Sequence, residues 1–278
     1  MTSPAARSIL VVTPTLGDSP FLDQTVRSVR AHPGGVHHVM VAPAGIVASL
    51  QQRYPHAEVM PDAGRAAGLY GALNVALTGT AYPWEWFTYI NDDDTLLPGF
   101  GSLAESANRT TPPADVLYGD VELIDEGGRC ISRITIERNP AWIPALLQQG
   151  ISPLMQQGML FRRTVVNRLR GFDTRYRLCA DLDFWLRAYV HRARFHYHPQ
   201  RVAQFRLRPG QLSGNTLITD REQRVIVSRH LPELLPAFKR RVACWRYRWC
   251  NLPRYVARVR SRGFQTSYEL LQTEGAPR

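Results

Sequence analysis

The sequence predicts an α/β fold, with a mostly parallel central sheet, helices on both faces and a helical C-terminal extension. Three observations lead there. Over the first hundred residues, apolar runs of strand length alternate with helix-periodic segments, the pattern of a parallel sheet. Beyond Pro98 the spacing changes to paired strands around a Gly-rich turn. From about Thr219 the chain reads as helical, basic and Trp-rich. At 278 residues and 44% apolar content, there is material for one large domain plus an appendage.

The elements follow in order. "SILVVTPTL" (8–16) reads as a buried strand leaving through a Pro-containing turn. In "DSPFLDQTVRSVRAH", Ser19 is placed to cap a helix with Pro20 at its first position, and Phe21, Leu22, Val26 and Val29 recur at helical spacing. "VHHVMVAP" reads as a strand, "GIVASLQQRYP" as a helix and "AEVMP" as a short strand. "GRAAGLYGALNVALTGT" supplies a helix with Leu69, Leu73 and Leu77 on one face, and "WEWFTYI" the next strand. "ADVLYGDVELID" and "CISRITIE" form a hairpin through "EGGR", and "MQQGMLFRR" another strand. "ADLDFWLRAYVH" is an amphipathic helix, with Leu182, Trp185, Leu186 and Tyr189 at i, i+3, i+4 and i+7. "ARFHYHP" and "RVAQFRLR" read as two short strands. The expected division is a domain over 1–218, with halves 1–100 and 101–218, and an extension over 219–278.

Composition narrows the setting. No apolar run is long enough to span a membrane. The N-terminus lacks a signal peptide's charged start and cleavage site. Cys130, Cys179, Cys244 and Cys250 form no CxxC pair, which suggests ordinary thiols in a reducing cytoplasm and no structural zinc. Net charge is +11, and Lys239 is the only lysine. From Asp220 onward there are 13 Arg or Lys against 5 Asp or Glu, so most of the charge sits in the extension.

Asp92, Asp93 and Asp94 end the "WEWFTYI" strand. Ligands of such sheets bind beyond the carboxyl ends of the strands, where the turn "TPTLGD" also lies. Adjacent carboxylates repel and are costly to bury unpaired, so a positive partner is expected. Mg²⁺ or Mn²⁺, which take carboxylate and phosphate oxygens, would serve. A solvated turn with Asp92 or Asp94 capping the next helix is the plainer alternative. "DDDT" is also similar to the DxDxT signature of haloacid-dehalogenase-type phosphatases, which would make the protein a Mg²⁺-dependent phosphatase. It departs from that signature, having no Gly before the Thr, following the fourth strand rather than the first, and placing Lys239 in the tail.

Four blocks in register carry a wider resemblance: "AGLYGALNVALTGT" with "FTYINDDDTLLPG", then "ADVLYGDVELIDEGGR", then "PLMQQGMLFRRTVVNRLRGFDTRYRLCADLDFWLRA", then "AQFRL". Over roughly residues 8–215 the chain resembles the family 2 glycosyltransferases of the GT-A fold. The resemblance implies an inverting enzyme that moves a sugar from a nucleoside-diphosphate-sugar, a UDP-sugar by family habit, to a hydroxyl acceptor. That acceptor would be a glycan, a glycolipid or a secondary metabolite. It implies a DxD-type site with Mn²⁺ or Mg²⁺ at Asp92 and Asp94, and Asp92 and Asp93 against the nucleotide. Asp181 matches the catalytic base, with Asp183 as the alternate. Asp181 is otherwise a first-turn carboxylate complementing a helix dipole. Thr13, Pro14 and Thr15 match the nucleotide-base loop, and Asp62, Arg65 and Asn74 a donor-binding segment. Gln156 and Gln157 match the acceptor side, Arg206 and Arg208 are diphosphate candidates, and Tyr70 reads as core.

The chain also departs from that family. The acidic turn after the second strand is "VAPAGIVAS", and Gly71 stands where Asp is common. His196 and His198 are the candidates for a third metal ligand. A catalytically silent nucleotide-sugar-binding protein is therefore the rival reading. For the tail, three readings stand: an amphipathic surface on an anionic membrane at its cytoplasmic face, a nucleic-acid contact without a recognition motif, or a helical appendage with Trp245 and Trp249 packed on the core.

Overall fold

A computed structural model describes residues 8–32, 35–64, 67–106, 109–208, 211 and 216–262. Strands β1 (Ile9–Pro14), β2 (Val36–Ala42), β3 (Glu58–Pro61) and β4 (Trp86–Tyr89) alternate with helices α1 (Leu22–Arg30), α2 (Val47–Arg53) and α3 (Gly68–Gly79). β5 (Thr95–Leu96), α4 (Gly99–Ser106), β6 (Val116–Ile124), β7 (Cys130–Arg133), α5 (Ile143–Leu147), β8 (Met159–Arg162), α6 (Arg163–Leu169), α7 (Ala180–Val190) and β9 (Phe195–Arg206) follow. Helices α8 (Thr216–His230), α9 (Ala237–Cys250) and α10 (Leu252–Arg262) end the described chain.

All nine strands join one sheet in the order β3-β2-β1-β4-β8-β6-β9-β5, with β7 on β6. β1 to β4 are mutually parallel, as the strand–helix alternation requires. The second half mixes directions: β8 is antiparallel to β4 and β6, while β9 runs parallel to β6. β8 and β7 occupy successive lengths of one edge of β6, so β6 is buried along its whole length. Along β1, Leu10 and Val12 enter one core cluster, and Ile9 and Val11 enter the cluster on the opposite face. That period of two puts apolar helices on both sides of the sheet.

Three local expectations change. Ser19 is not the helix cap. α1 starts at Leu22, while the Ser19 hydroxyl accepts from Phe21 N–H and donates to the Asp92 carbonyl. "ARFHYHP" and "RVAQFRLR" form one continuous strand, because the register slip opposite Gly119 and Asp120 absorbs Pro199, which lacks an N–H to give the ladder. Trp245 and Trp249 are exposed rather than packed on the core. The four cysteines are free thiols.

Gly119 and Gly158 approach each other closely at the sheet. A Cβ on Gly158 would lie 2.8 Å from the Gly119 carbonyl oxygen and 2.8 Å from Val121 Cγ2. Gly158→Ala is therefore expected to cost about 1–3 kcal/mol of stability. Urea unfolding should show a lower midpoint at unchanged slope, and an unchanged midpoint would mean that the backbone yields freely there.

Candidate active site

The carboxyl ends of β1 and β4 and the end of β9 converge on the triplet. Asp94 is fully buried. Its Oδ1 accepts from Arg206 N–H at 2.8 Å, and its Oδ2 accepts from Gln157 Nε2 at 3.0 Å and Asn91 Nδ2 at 3.2 Å. Asp93 accepts from Arg208 Nε at 2.6 Å and Gln211 Nε2 at 3.3 Å. Asp92 accepts from the Thr15 hydroxyl at 2.6 Å. Burial, and then the Asp93 charge, push the Asp94 carboxyl above the ordinary carboxylate range. Burial also raises Asp92.

Asp92 and Asp93 line a cavity of about 370 Å³ together with Pro14, Tyr89, Gln156 and Gln157. Asp181, from the first turn of α7, lines the same cavity. Its Oδ1 accepts from Leu182 N–H at 2.8 Å and from the Tyr70 hydroxyl at 3.2 Å. Loss of water around it raises its pKa from 3.8 to about 6, and those hydrogen bonds oppose the rise. The alternate carboxylate, Asp183, is sealed from solvent and holds Arg187 Nε at 2.7 Å and His230 Nε2 at 2.8 Å. That leaves Asp181 as the carboxylate of α7 that reaches the cavity.

The other expected residues divide. Thr15 supports Asp92, and Pro14 lines the cavity. Thr13 is fully buried and hydrogen-bonds His38 Nε2 at 2.9 Å. Asp62 accepts from Gly64 N–H and stands apart from the lining. Arg65 lies outside the described residues. Asn74 clamps both backbone groups of Phe172, at 2.8 and 2.9 Å, so its amide fixes the loop before α7. The Arg206 guanidinium is occupied too: it donates to the carbonyls of Asp93, Asp125 and Glu126 and to Gln24 Oε1, with Phe21 beneath it. Arg208 and Arg177 are the guanidinium groups that line the cavity among the described residues. His196 and His198 line a different depression near the start of β9, roughly 25–35 Å from its end at about 3.3 Å per residue.

Sequence reading missed Glu222. From α8 its carboxylate accepts three successive N–H groups, Arg177 at 2.7 Å and Leu178 and Cys179 at 2.9 Å each. It thereby shapes the turn that launches α7, and Thr219 and Gln223 of the same helix line the cavity. Its signal in the sequence is one acidic residue in an arginine-rich segment, which points nowhere by itself.

A divalent cation fits this donor set in part. Among the described residues no group of three or more His, Cys, Asp or Glu side chains gathers to hold a metal. Asp92 and Asp93 face the cavity, whereas both Asp94 oxygens are engaged in the fold. Two carboxylates plus phosphate oxygens satisfy Mg²⁺ or Mn²⁺, so such a site would need the ligand's phosphates to complete it.

No family profile matches the sequence, and no curated protein sequence matches it either. Solved structures do. TarS 1–349 of S. aureus in complex with UDP-GlcNAc superposes with a TM-score of 0.63 at 16% identity, over 92% of this chain and 75% of that one. Mannosyltransferase PcManGT from Pyrobaculum calidifontis, in complex with GDP-Man and Mn²⁺, gives 0.55 at 15% identity, over 97% and 79%. The chain therefore has a glycosyltransferase fold of the GT-A type.

The Glu222 clamp makes a direct prediction. Glu222→Ala leaves three N–H groups without their acceptor, so stability should fall by about 1–3 kcal/mol and cavity ligands should bind more weakly. Thermal melts and nucleotide titration check both, and wild-type behaviour in each would show that the turn holds without Glu222.

Proposed function

We propose that this protein is an inverting, nucleotide-sugar-dependent glycosyltransferase. The carrying observation is that Asp181 and the Asp92–Asp93 pair, from opposite halves of the chain, line one cavity beyond the sheet's carboxyl edge. The likeness to structures containing UDP-GlcNAc and GDP-Man supports a nucleoside-diphosphate donor, and a UDP-sugar is the first to test. The acceptor is a hydroxyl of a glycan, a glycolipid or a secondary metabolite.

Asp181 accepts the proton of the attacking acceptor hydroxyl. Its raised pKa makes it a better base than an ordinary carboxylate, and at neutral pH it is still ionised. Tyr70 holds its Oδ1, which leaves Oδ2 for the acceptor. Arg208 and Arg177 line the cavity and would offset the charge that gathers on the leaving diphosphate. Asp92 and Asp93 would hold Mn²⁺ or Mg²⁺ with that diphosphate, and the cation would supply Lewis-acid stabilisation of the leaving group. The hydroxyl attacks the anomeric carbon from the side away from the diphosphate, so one displacement inverts the configuration.

The silent-binding reading draws on Gly71, where a Cβ would lie 2.3 Å from the Ala67 Cβ. A side chain at Gly71, where the resemblance to family 2 glycosyltransferases implies an acid, would have to displace Ala67. The phosphatase reading requires the triplet after the first strand, and it follows β4.

Calorimetric titration of UDP and GDP, with and without Mn²⁺, separates these readings. Wild type should bind one nucleotide more tightly with Mn²⁺, and Asp92→Asn should lose that gain. Asp181→Asn should bind the donor normally and lose transfer by about 10²–10⁴-fold. Unchanged transfer would refute the base, while donor binding by a wild type that neither transfers nor hydrolyses sugar would favour the silent module.

The pH dependence has a definite sign. Asp181 works ionised, so kcat/KM should fall as pH drops through about 6 and level off above it. Its folded pKa is raised, so the buried charge opposes folding most above that value. Asp181→Asn should then keep or raise the melting temperature at neutral pH. A profile flat through that range would remove Asp181 from the proton transfer.

A further inference from the structure

Among the described residues, six of the ten exposed large apolar side chains lie close together in sequence: Leu234, Phe238, Trp245, Trp249, Leu252 and Val256. On α9, Phe238, Val242, Trp245 and Trp249 fall at i, i+4, i+7 and i+11, which is one helix face. Phe238 is 78% exposed, Trp245 66% and Trp249 64%. The two indoles stack on each other at 5.9 Å and 12°, so they form a flat apolar plate in water. The opposite face of α9 is already anchored, because Ala243 and Tyr247 are buried with Ala145 and Leu146 of α5. The helix therefore has a second apolar face that the fold does not use.

The charge around that face is one-sided. Between Ala237 and Arg262 there are nine Arg or Lys and no Asp or Glu. Arg246 and Arg254 pair inward with Glu137 and Asp120. Lys239, Arg241 and Arg248 remain exposed along α9. Exposed tryptophans flanked by cations match an anionic lipid surface, where indoles sit at headgroup level and Arg and Lys stems reach phosphates. A second copy of this chain fits less well, since a two-fold contact would set the same cations against each other. No described helix is long and apolar enough to cross a membrane, so such a surface would lie on the bilayer rather than span it.

We infer that the exposed face of α9, continuing into α10, docks on an anionic phospholipid bilayer. Phe238, Trp245 and Trp249 enter the headgroup layer, and Lys239, Arg241 and Arg248 meet lipid phosphates. This is independent of the proposed catalysis, because none of these residues lines the cavity.

The test uses the full chain with two kinds of vesicle: phosphatidylcholine alone, and an equal mixture with phosphatidylglycerol. The protein should float with the mixed vesicles only. Trp84, Trp86 and Trp185 are buried and Trp142 is partly buried, so a blue shift of tryptophan emission on binding reports Trp245 and Trp249. Trp245→Ser with Trp249→Ser should abolish the shift and reduce flotation. Replacing Lys239, Arg241 and Arg248 by Gln should weaken partitioning about a hundredfold, at about fivefold per cation. Both variants should melt like wild type. No flotation, equal flotation with both vesicles, or wild-type flotation by both variants would overturn the inference. So would a solution dimer that the Trp variant abolishes while vesicle binding persists, or binding to a single-stranded oligonucleotide that mixed vesicles fail to displace.

Discussion

The fold closes around the Asp94 carboxylate. A fully buried carboxylate is costly unless every oxygen has a donor, and this one has three, from β9, the turn before β8 and its own strand end. Those bonds tie the end of β4 to Arg206, more than a hundred residues later. Arg206 in turn binds the Asp93 carbonyl and the carbonyls of the β6–β7 turn. The Thr25 hydroxyl adds α1 by donating to the Asp94 carbonyl at 2.7 Å. The parallel half and the mixed half of the sheet are thus fastened beside the cavity that Asp92 and Asp93 line. With Asp94 occupied in this way, its two neighbours are turned toward the cavity.

The cavity's charge then limits what can enter it. Among its described lining residues, Asp92, Asp93 and Asp181 face Arg177 and Arg208. A diphosphate placed against that set meets repulsion that two exposed or half-exposed guanidiniums only partly offset. Two unit charges 4 Å apart interact by about 4 kcal/mol at an effective dielectric near 20, so the balance of these five side chains matters to any anion that enters. Asp181 is perturbed mainly by burial rather than by a charged partner. It is far enough into the protein to lose water and gain basicity, yet its partners are a hydroxyl and an amide, neither of which quenches it as a guanidinium would.

Periodicity carried most of the architecture. β1 to β4 and α1 to α3 follow from alternating strand and helix patterns, because each pattern is local and each face is buried by its neighbour. The triplet and Asp181 stand out as candidates for a similar reason: charged residues at a strand end and in a helix's first turn contrast with apolar surroundings. The division of labour inside the triplet was not legible. Which of three adjacent aspartates is fully buried and turned into the fold depends on Gln157 and Arg206, whose arrival is set by tertiary structure. Asn74 and Glu222 show the same limit. A lone amide on α3 and a lone carboxylate on α8 have no local pattern, and both act on backbone that is remote in sequence. The continuity of β9 is likewise set by tertiary pairing, since the register slip beside Gly119 accommodates Pro199 between the two strand-like segments.

The C-terminal helices belong to the fold rather than being appended to it. α8 shapes the turn before Asp181 through Glu222. α9 buries Tyr247, whose hydroxyl donates to the Thr135 carbonyl at 2.9 Å. α10 inserts Arg254 against Asp120, next to the hydrogen bond from Tyr197. Removing these helices would uncover core and leave Asp120 and Glu137 buried without their cations, a loss of several kcal/mol at each site. A truncated chain would therefore report on folding, whatever its surface does. The exposed stripe of α9 is separable from that inner role because the two lie on opposite sides of one helix. Substitutions at Trp245 and Trp249 change the outer face while Ala243 and Tyr247 keep the inner one in place, so one helix serves both core and surface through its periodicity.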